Sequence, residues 1–325
     1  QGPLPRAGTP PERRLPWAQP IPGPMAVAAL LILVAGLVRG AALSSAKRAK
    51  THQPTSDWKY FPPGAKVGIV TGGTPDLYGK ANFASTTAAV MLKYAKRHGY
   101  AFFVDKNMGR LSARAKGWNK IMLLHKLLRE VQTLVWMDAD ILLTDTAKPI
   151  EKLFNVSQCD GTEQRRWSPF LPRKTSNSTF LWMNADVSPA RYLVNANTAM
   201  IGVQQSPAAF NFLEKVWKVG DDPNHFLHHS DPMRWAKTSK IGFEKKDGDV
   251  GWPYEQGAVW DVLASDPDGF MRGTCITPET HMHSVRGYKW NNGMFARHLS
   301  GMPNDLRKSE ARKQLQRLGG KAEIK

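Results

Sequence analysis

Three Asp-x-Asp triplets carry the most suggestive chemistry in the chain: Asp138-Ala139-Asp140, Asp247-Gly248-Asp249 and Asp266-Pro267-Asp268. Two carboxylates spaced i, i+2 can converge on one hard cation through oxygen ligands. Such a cation can bridge to a diphosphate and neutralise a leaving group. Context separates the three. The second and third sit among Gly and Pro and read as turns, where Asp bonds its own backbone. The first follows Leu134–Met137, an apolar run that reads as a buried strand. A strand-end turn or helix cap is the alternative for 138–140, and the triplet alone does not choose.

Thr71-Gly72-Gly73-Thr74 is a second candidate, because glycine lets a backbone approach a nucleotide closely. It is neither GxGxxG nor a P-loop, so dinucleotide and ATP sites have no support. His225, His228 and His229 cluster, and His281 and His283 would share a face of a strand. Without HExxH these five read as solvated loop residues. His298 stands alone and is ambiguous by itself.

The elements that must position these residues alternate. Lys66–Thr71 reads as a strand, 81–98 as a helix stopped by Gly99, and Ala101–Val104 as the next strand. Residues 118–131 read as a helix with Ile121, Leu124, Leu128 and Val131 on one face, before the Leu134–Met137 strand. Strand and helix in alternation predict an α/β fold with parallel pairing, and ligands beyond the carboxyl ends of the strands. Ala199–Val203 follows as a strand. Ser206-Pro207 caps a helix with Phe210, Leu213 and Trp217 on one face, and a shorter helix begins near Glu255-Gln256. Residues 305–318 form a basic amphipathic helix, and 158–195 is polar and irregular.

Of 325 residues, 42% are hydrophobic and 22% charged, which argues against wholesale disorder. The net charge of +18 favours anionic partners without choosing among nucleic acid, phosphorylated ligands and membrane surface. Two cysteines, Cys159 and Cys275, exclude a disulfide-stapled miniprotein and a CxxC zinc site, and nothing in the sequence brings them together, so no bridge is expected. The proline-rich residues 1–24 read as disordered. The apolar run 25–38 is shorter than the about 20 residues of a membrane span. It fits a signal anchor or signal peptide over 25–43, followed by a polar linker at 44–60. Asn155-Val156-Ser157 and Asn177-Ser178-Thr179 are sequons, which agrees with a lumenal placement of the rest.

GWNKIMLLHKLLREVQTLVWMDADILLTD (117–145) resembles the core of glycosyltransferase family 34, the galactosyl-, xylosyl- and mannosyltransferases of the Golgi. KYAKRHGYAFFVDKN (93–107) extends the resemblance upstream. NTAMIGVQQSPAAFNFLEKVW (197–217), Tyr254-Glu255-Gln256 with Ala258, and Arg297-His298-Leu299-Ser300-Gly301 extend it downstream, in the family's order. The resemblance implies a GT-A type, Rossmann-like nucleotide-sugar transferase fold with a mostly parallel central sheet for the domain at 61–304, and the basic helix and tail at 305–325 lie beyond it. It implies Mn²⁺ held by Asp138, Asp140 and His298. Thr71, Gly72, Gly73, Lys120 and Asp138 would face the donor, and Glu255 and Gln256 the reacting sugar and acceptor. It implies a retaining transferase moving galactose or xylose from a UDP-sugar, with GDP-mannose also open, to a glycan acceptor. It implies a single-pass type II Golgi membrane protein, alone or assembled with other glycosyltransferases. The chain departs from the pattern at Tyr254, where many members carry an acid. It departs again at Met302-Pro303, where plant members have Cys-Lys; Lys289, Arg297 and Arg307 are the cations that can replace that lysine. The segment 158–195 matches least and is expected to shape the acceptor site. The rival readings are an inactive relative that scaffolds a transferase complex, and a basic nucleic-acid-binding protein, for which no recognition motif is present.

The lumenal placement has a direct test. Glycosidase digestion of the expressed protein is expected to shift its mobility, and Asn155→Gln with Asn177→Gln to abolish the shift. A cytosolic fractionation pattern would contradict the placement.

Overall fold

The computed structural model describes residues 59–79, 82–108, 116–154, 179–186, 195–221, 255–265, 269–277, 282–284 and 294–319. Strands buried on both faces read as continuous apolar runs. Three such runs build the centre: β1 (Val67–Gly72), β2 (Ala101–Asp105) and β3 (Thr133–Met137). β1 pairs in parallel with β2 on one side and β3 on the other, as the alternating pattern predicts. β6 (Asn195–Gln204) then runs antiparallel to β3, with Met137 opposite Met200. β5 (Leu181–Asp186) is antiparallel to β6, and β7 (Thr274–Thr277) is parallel to β5. The order is β2-β1-β3-β6-β5-β7, with β6 alone reversed in this sheet.

Alternate residues feed two cores. Val70, Leu134 and Trp136 point to one, while Ile69, Phe102, Val135 and Met137 point to the other. The first core is closed by α2 (Asn119–Leu127), α3 (Pro207–Val219) and α4 (Glu255–Ser265) through Leu124, Phe212 and Val259. The second is closed by α1 (Ala84–His98) and α5 (Asn304–Arg317) through Met91, Tyr94, Ala311 and Leu315. A small second sheet lies beside it. Its central strand β9 (Ala296–His298) is flanked by β4 (Ile141–Leu143) and β8 (His283–Ser284).

Gly99 caps α1 in the left-handed region at φ 70°, as expected, but the helix starts at Ala84 rather than 81. α2 spans Asn119–Leu127, shorter than 118–131, because Leu128 already serves as its C-cap. Ser206 caps α3 by accepting a hydrogen bond from the Ala209 amide at 3.1 Å. The face α3 buries is Ala209, Phe212, Leu213 and Val216; Phe210 and Trp217 pack only at its margin. The span 158–195 is not wholly irregular, since Leu181–Asp186 is an interior strand. Its Leu181-Trp182-Met183 run is too short to show a period without its partners.

Cys275, fully buried on β7, is disulfide-bonded, which overturns the expectation of no bridge. The chain's other cysteine, Cys159, lies outside the described residues. Sequence separation is poor evidence against a bridge, because loop-closure cost grows slowly with length. The run 25–38, both sequon asparagines, Tyr254, Lys289, the other two Asp-x-Asp triplets, His281 and the 225–229 histidines likewise lie outside the described residues. No helix among the described residues is long and apolar enough to cross a membrane.

The bridge predicts a shared energetic unit. Cys275→Ser and Cys159→Ser should each lower stability by about 2–4 kcal/mol in thermal unfolding, and the double variant should be no worse than either single one. Additive losses would show two independent thiols.

Candidate active site

The site assembles where β3 ends. The Asp138 amide donates to the Ala199 carbonyl at 2.7 Å, so β6 fixes the start of the acidic turn. The Ile141 amide donates back to the Asp138 carbonyl at 2.9 Å, and β4 then begins. Pairing of β4 with β9 sets Ile141 opposite His298, and the Leu299 amide donates to the Asp140 carbonyl at 2.9 Å. That register brings His298 Nε2 to 3.3 Å from Asp140 Oδ1. One ligand atom each from Asp138, Asp140 and His298 lies within 4.8 Å of the others. Two carboxylates and an imidazole, all partly exposed, are a donor set that can hold a divalent ion such as Mn²⁺.

Lys120, in the first turn of α2 and 3% exposed, ties the floor together. Its Nζ donates to Glu255 Oε1 at 2.8 Å and to the Thr198 carbonyl at 2.9 Å, and meets Asp138 Oδ1 at 3.1 Å. An ammonium has three N–H groups, and these three acceptors use them. Trp136 Nε1 donates to the same Asp138 oxygen at 2.5 Å. Glu255 opens α4, and a Cβ at Gly117 would collide with its Oε2, so a larger residue there would make this carboxylate move. Gln256 turns to β6, where its Oε1 accepts from the Thr198 amide at 3.2 Å.

The charges adjust to one another. Burial opposes charge on Lys120, but Asp138 and Glu255 outweigh it and hold its pKa above the ordinary value. Burial likewise opposes charge on Glu255, and Lys120 outweighs it and holds the carboxyl low. Asp138 is pushed up, by burial first and by the Asp140 and Glu255 charges, against the pull of Lys120. Asp140 is held low: burial raises it, but the hydrogen bond and charge of His298 and the charge of Arg307 prevail.

These groups open onto a cavity of about 510 Å³ whose wall includes Gly72, Gly73, Lys120, Asp138, Asp140 and Glu255. Of the sequence-predicted set, Gly72, Gly73, Lys120, Asp138, Asp140 and Glu255 reach this wall, His298 joins it through Asp140, and Gln256 turns to Thr198. Thr71 lies inside β1 and is fully buried, rather than on a turn. Lys120 reaches the cavity wall, but its N–H groups serve the protein. Sequence reasoning missed Trp136, Thr198 and Gly117. All three sit inside segments that carry the resemblance, yet no residue spacing announces that their atoms meet.

The fold is of the GT-A type. A solved glycosyltransferase involved in the glycosylation of the major capsid of PBCV-1 shares the fold, with TM-score 0.51 and 14% identity over 76% of this chain and 98% of that chain. The galactosyltransferase LgtC, solved in complex with donor and acceptor sugar analogs, is similar at TM-score 0.40 and 9% identity over 78% of this chain and 95% of that one. More particularly, residues 66–189 match the model of the galactosyl transferase GMA12/MNN10 family, glycosyltransferase family 34. No curated protein matches by sequence. Family match and fold together support a nucleotide-sugar glycosyltransferase.

The Lys120 network predicts a pH signature. Lys120→Met strands two carboxylates and should cost about 3–5 kcal/mol near neutral pH. Glu255, held below its ordinary value of 4.5 by Lys120, contributes stability above that value and loses it as pH falls through the lower folded value. In Lys120→Met the same carboxylates are protonated more readily, so acid relieves them. The stability gap between wild type and variant should therefore narrow as pH falls from about 7 to about 4 in denaturant titrations. A gap that widens would contradict the pairing.

Proposed function

We propose that this chain is a metal-dependent, retaining glycosyltransferase that moves galactose or xylose from a nucleotide-sugar donor to a glycan acceptor. One observation carries the reading: Asp138, Asp140 and His298 converge within 4.8 Å at the end of a parallel strand, beside a cavity large enough for a nucleotide sugar. In this reading those three residues hold Mn²⁺, which supplies positive charge to the donor diphosphate as it departs. Gly72 and Gly73 admit the nucleotide backbone-close, as glycine allows.

Glu255 lines the sugar side of the cavity, and Gln256 orients it through Thr198. The acceptor hydroxyl bonds to the anomeric carbon on the face from which the diphosphate leaves. Its proton passes to an oxygen of the departing phosphate, so configuration is kept. The resemblance to family 34 further supports a Golgi, type II placement through the apolar run 25–38, with the catalytic residues lumenal.

The reading separates the three acidic triplets experimentally. In calorimetric titration of UDP with and without Mn²⁺, Asp140→Ala should lose metal-dependent affinity, and His298→Ala should weaken it by less, since water can take the imidazole's position. Asp247→Ala and Asp266→Ala should bind as wild type. Wild-type affinity in Asp140→Ala would remove the metal site and with it this mechanism.

A further inference from the structure

The cavity occupies one end of the central sheet, and the opposite end gathers positive charge. β1 and β3 run toward the cavity, which Gly72 and Asp138 line. The start of β1 lies about 20 Å from that wall, at about 3.3 Å per strand residue. Lys66 stands immediately before β1, and its carbonyl accepts from the Gln132 and Thr133 amides at 2.8 and 3.0 Å, where β3 begins. α1 and α2 run back from the cavity, so their last turns bring Lys96, Arg97 and Lys126 to the same end. Arg129 follows in the turn before β3, its guanidinium 5.7 Å from the Phe210 ring centroid. Lys59 completes the group, its amide donating to the Phe102 carbonyl near the start of β2 at 2.9 Å.

All six cations are exposed, and none is held in an ion pair with a described residue. Three described acids meet this end. Glu151 accepts from Tyr100, Glu214 faces His125 at 3.2 Å, and Glu130 is half-buried. Like charges gathered on one face sum to a potential that draws a polyanionic surface. The chain also arrives here. Tyr60 bridges to Phe102, and Lys96 Nζ stands 5.6 Å from the Tyr60 ring centroid. Residues 39–58 join the apolar run 25–38 to Lys59, a length that would span about 25 Å as a random coil. A bilayer that held the run would therefore have the basic end of the sheet within reach.

We infer that this end of the domain docks on the anionic headgroups of the bilayer that takes up the run 25–38, and so turns the cavity away from the membrane. The inference rests on the anchor reading for the choice of a bilayer, and on geometry alone for the basic surface. Each lysine or arginine close to an anionic surface adds to the attraction, and salt screens it. The apolar run enters a bilayer through its apolar area, so headgroup charge and salt separate the two contributions.

The full chain is reconstituted with vesicles of phosphatidylcholine alone, or with about one third phosphatidylserine, and its lysines are labelled with an amine reagent and read by mass spectrometry. Lys66, Lys96 and Lys126 should label about tenfold more slowly on the phosphatidylserine vesicles, and about 1 M salt should abolish the difference. Lys215 and Lys218, exposed toward the other end of α3, should label equally on both. Arg97→Gln with Arg129→Gln should shrink the protection of the three lysines and leave UDP affinity as in wild type. Equal labelling on the two vesicles by a chain that stays with both overturns the docking surface and leaves the anchor reading in place. Protection that extends to Lys215 and Lys218 also overturns it, because that is the mark of aggregation. Protection of the three lysines by a DNA duplex but not by phosphatidylserine overturns it in favour of nucleic acid. A chain that washes off phosphatidylcholine yet shows the salt-sensitive protection on phosphatidylserine defeats the anchor reading and upholds the basic surface.

Discussion

A buried ammonium must find an acceptor for each of its three protons, and Lys120 finds them on three different elements. Asp138 stands at the end of β3, Thr198 on β6 and Glu255 at the start of α4. Satisfying one cation therefore fixes where a strand end, a neighbouring antiparallel strand and a helix start must meet. A carboxylate or ammonium left unpaired at this depth would be strongly destabilising, so the arrangement is all-or-none. Gly117 belongs to the same constraint: one residue before Trp118, it leaves the gap that the Glu255 carboxylate fills.

The second half of the site depends on backbone pairing rather than on charge. β4 is only three residues long, yet its register with β9 sets His298 beside Asp140. Leu299, Phe295 and Ala296 bury their side chains in the core that α1 and α5 close. The turn after β9 then launches α5, whose Ala311 and Leu315 pack in that same core and whose first turn reaches back to the cavity with Arg307. The hydrophobic packing of the C-terminal segment is thus what delivers the His298 imidazole and a guanidinium to a turn formed much earlier in the chain.

The sheet explains why the cavity lies where it does. β1 and β3 run in parallel and end on the same side, and both faces are covered by helices, so only the strand ends stay open to a ligand. β6 contributes in the opposite sense. Being antiparallel to β3, it places Ala199 and Thr198 beside Asp138 and Lys120 while the rest of it runs away into the core. Asp138 feels this crowding directly. It is pushed up by burial and by two neighbouring carboxylates, and a cation in the cavity would answer the charge that Lys120 only partly offsets.

How much of this was legible beforehand follows from the range of each signal. The apolar runs at 67–70 and 134–137, the Gly99 cap and the Ser206 cap are local, and they determined the alternating strands and helices and the parallel pairing of β1 with β2 and β3. The preference for Asp138-Ala139-Asp140 over the other two triplets came from the same local fact, a buried strand before it. His298, Glu255 and Lys120 were nameable only through the ordered resemblance to family 34. Their meeting was not, because a hydrogen bond between distant residues leaves no periodic trace in either segment. The Leu181–Asp186 strand was missed because short interior strands show no alternation, and the Cys275 bridge because contour length does not constrain closure. That Lys120 fills all three N–H groups while Arg307 meets Asp140 only at 3.9 Å was decided by tertiary structure alone. Two basic side chains of similar composition differ only in which acceptors the fold puts within reach.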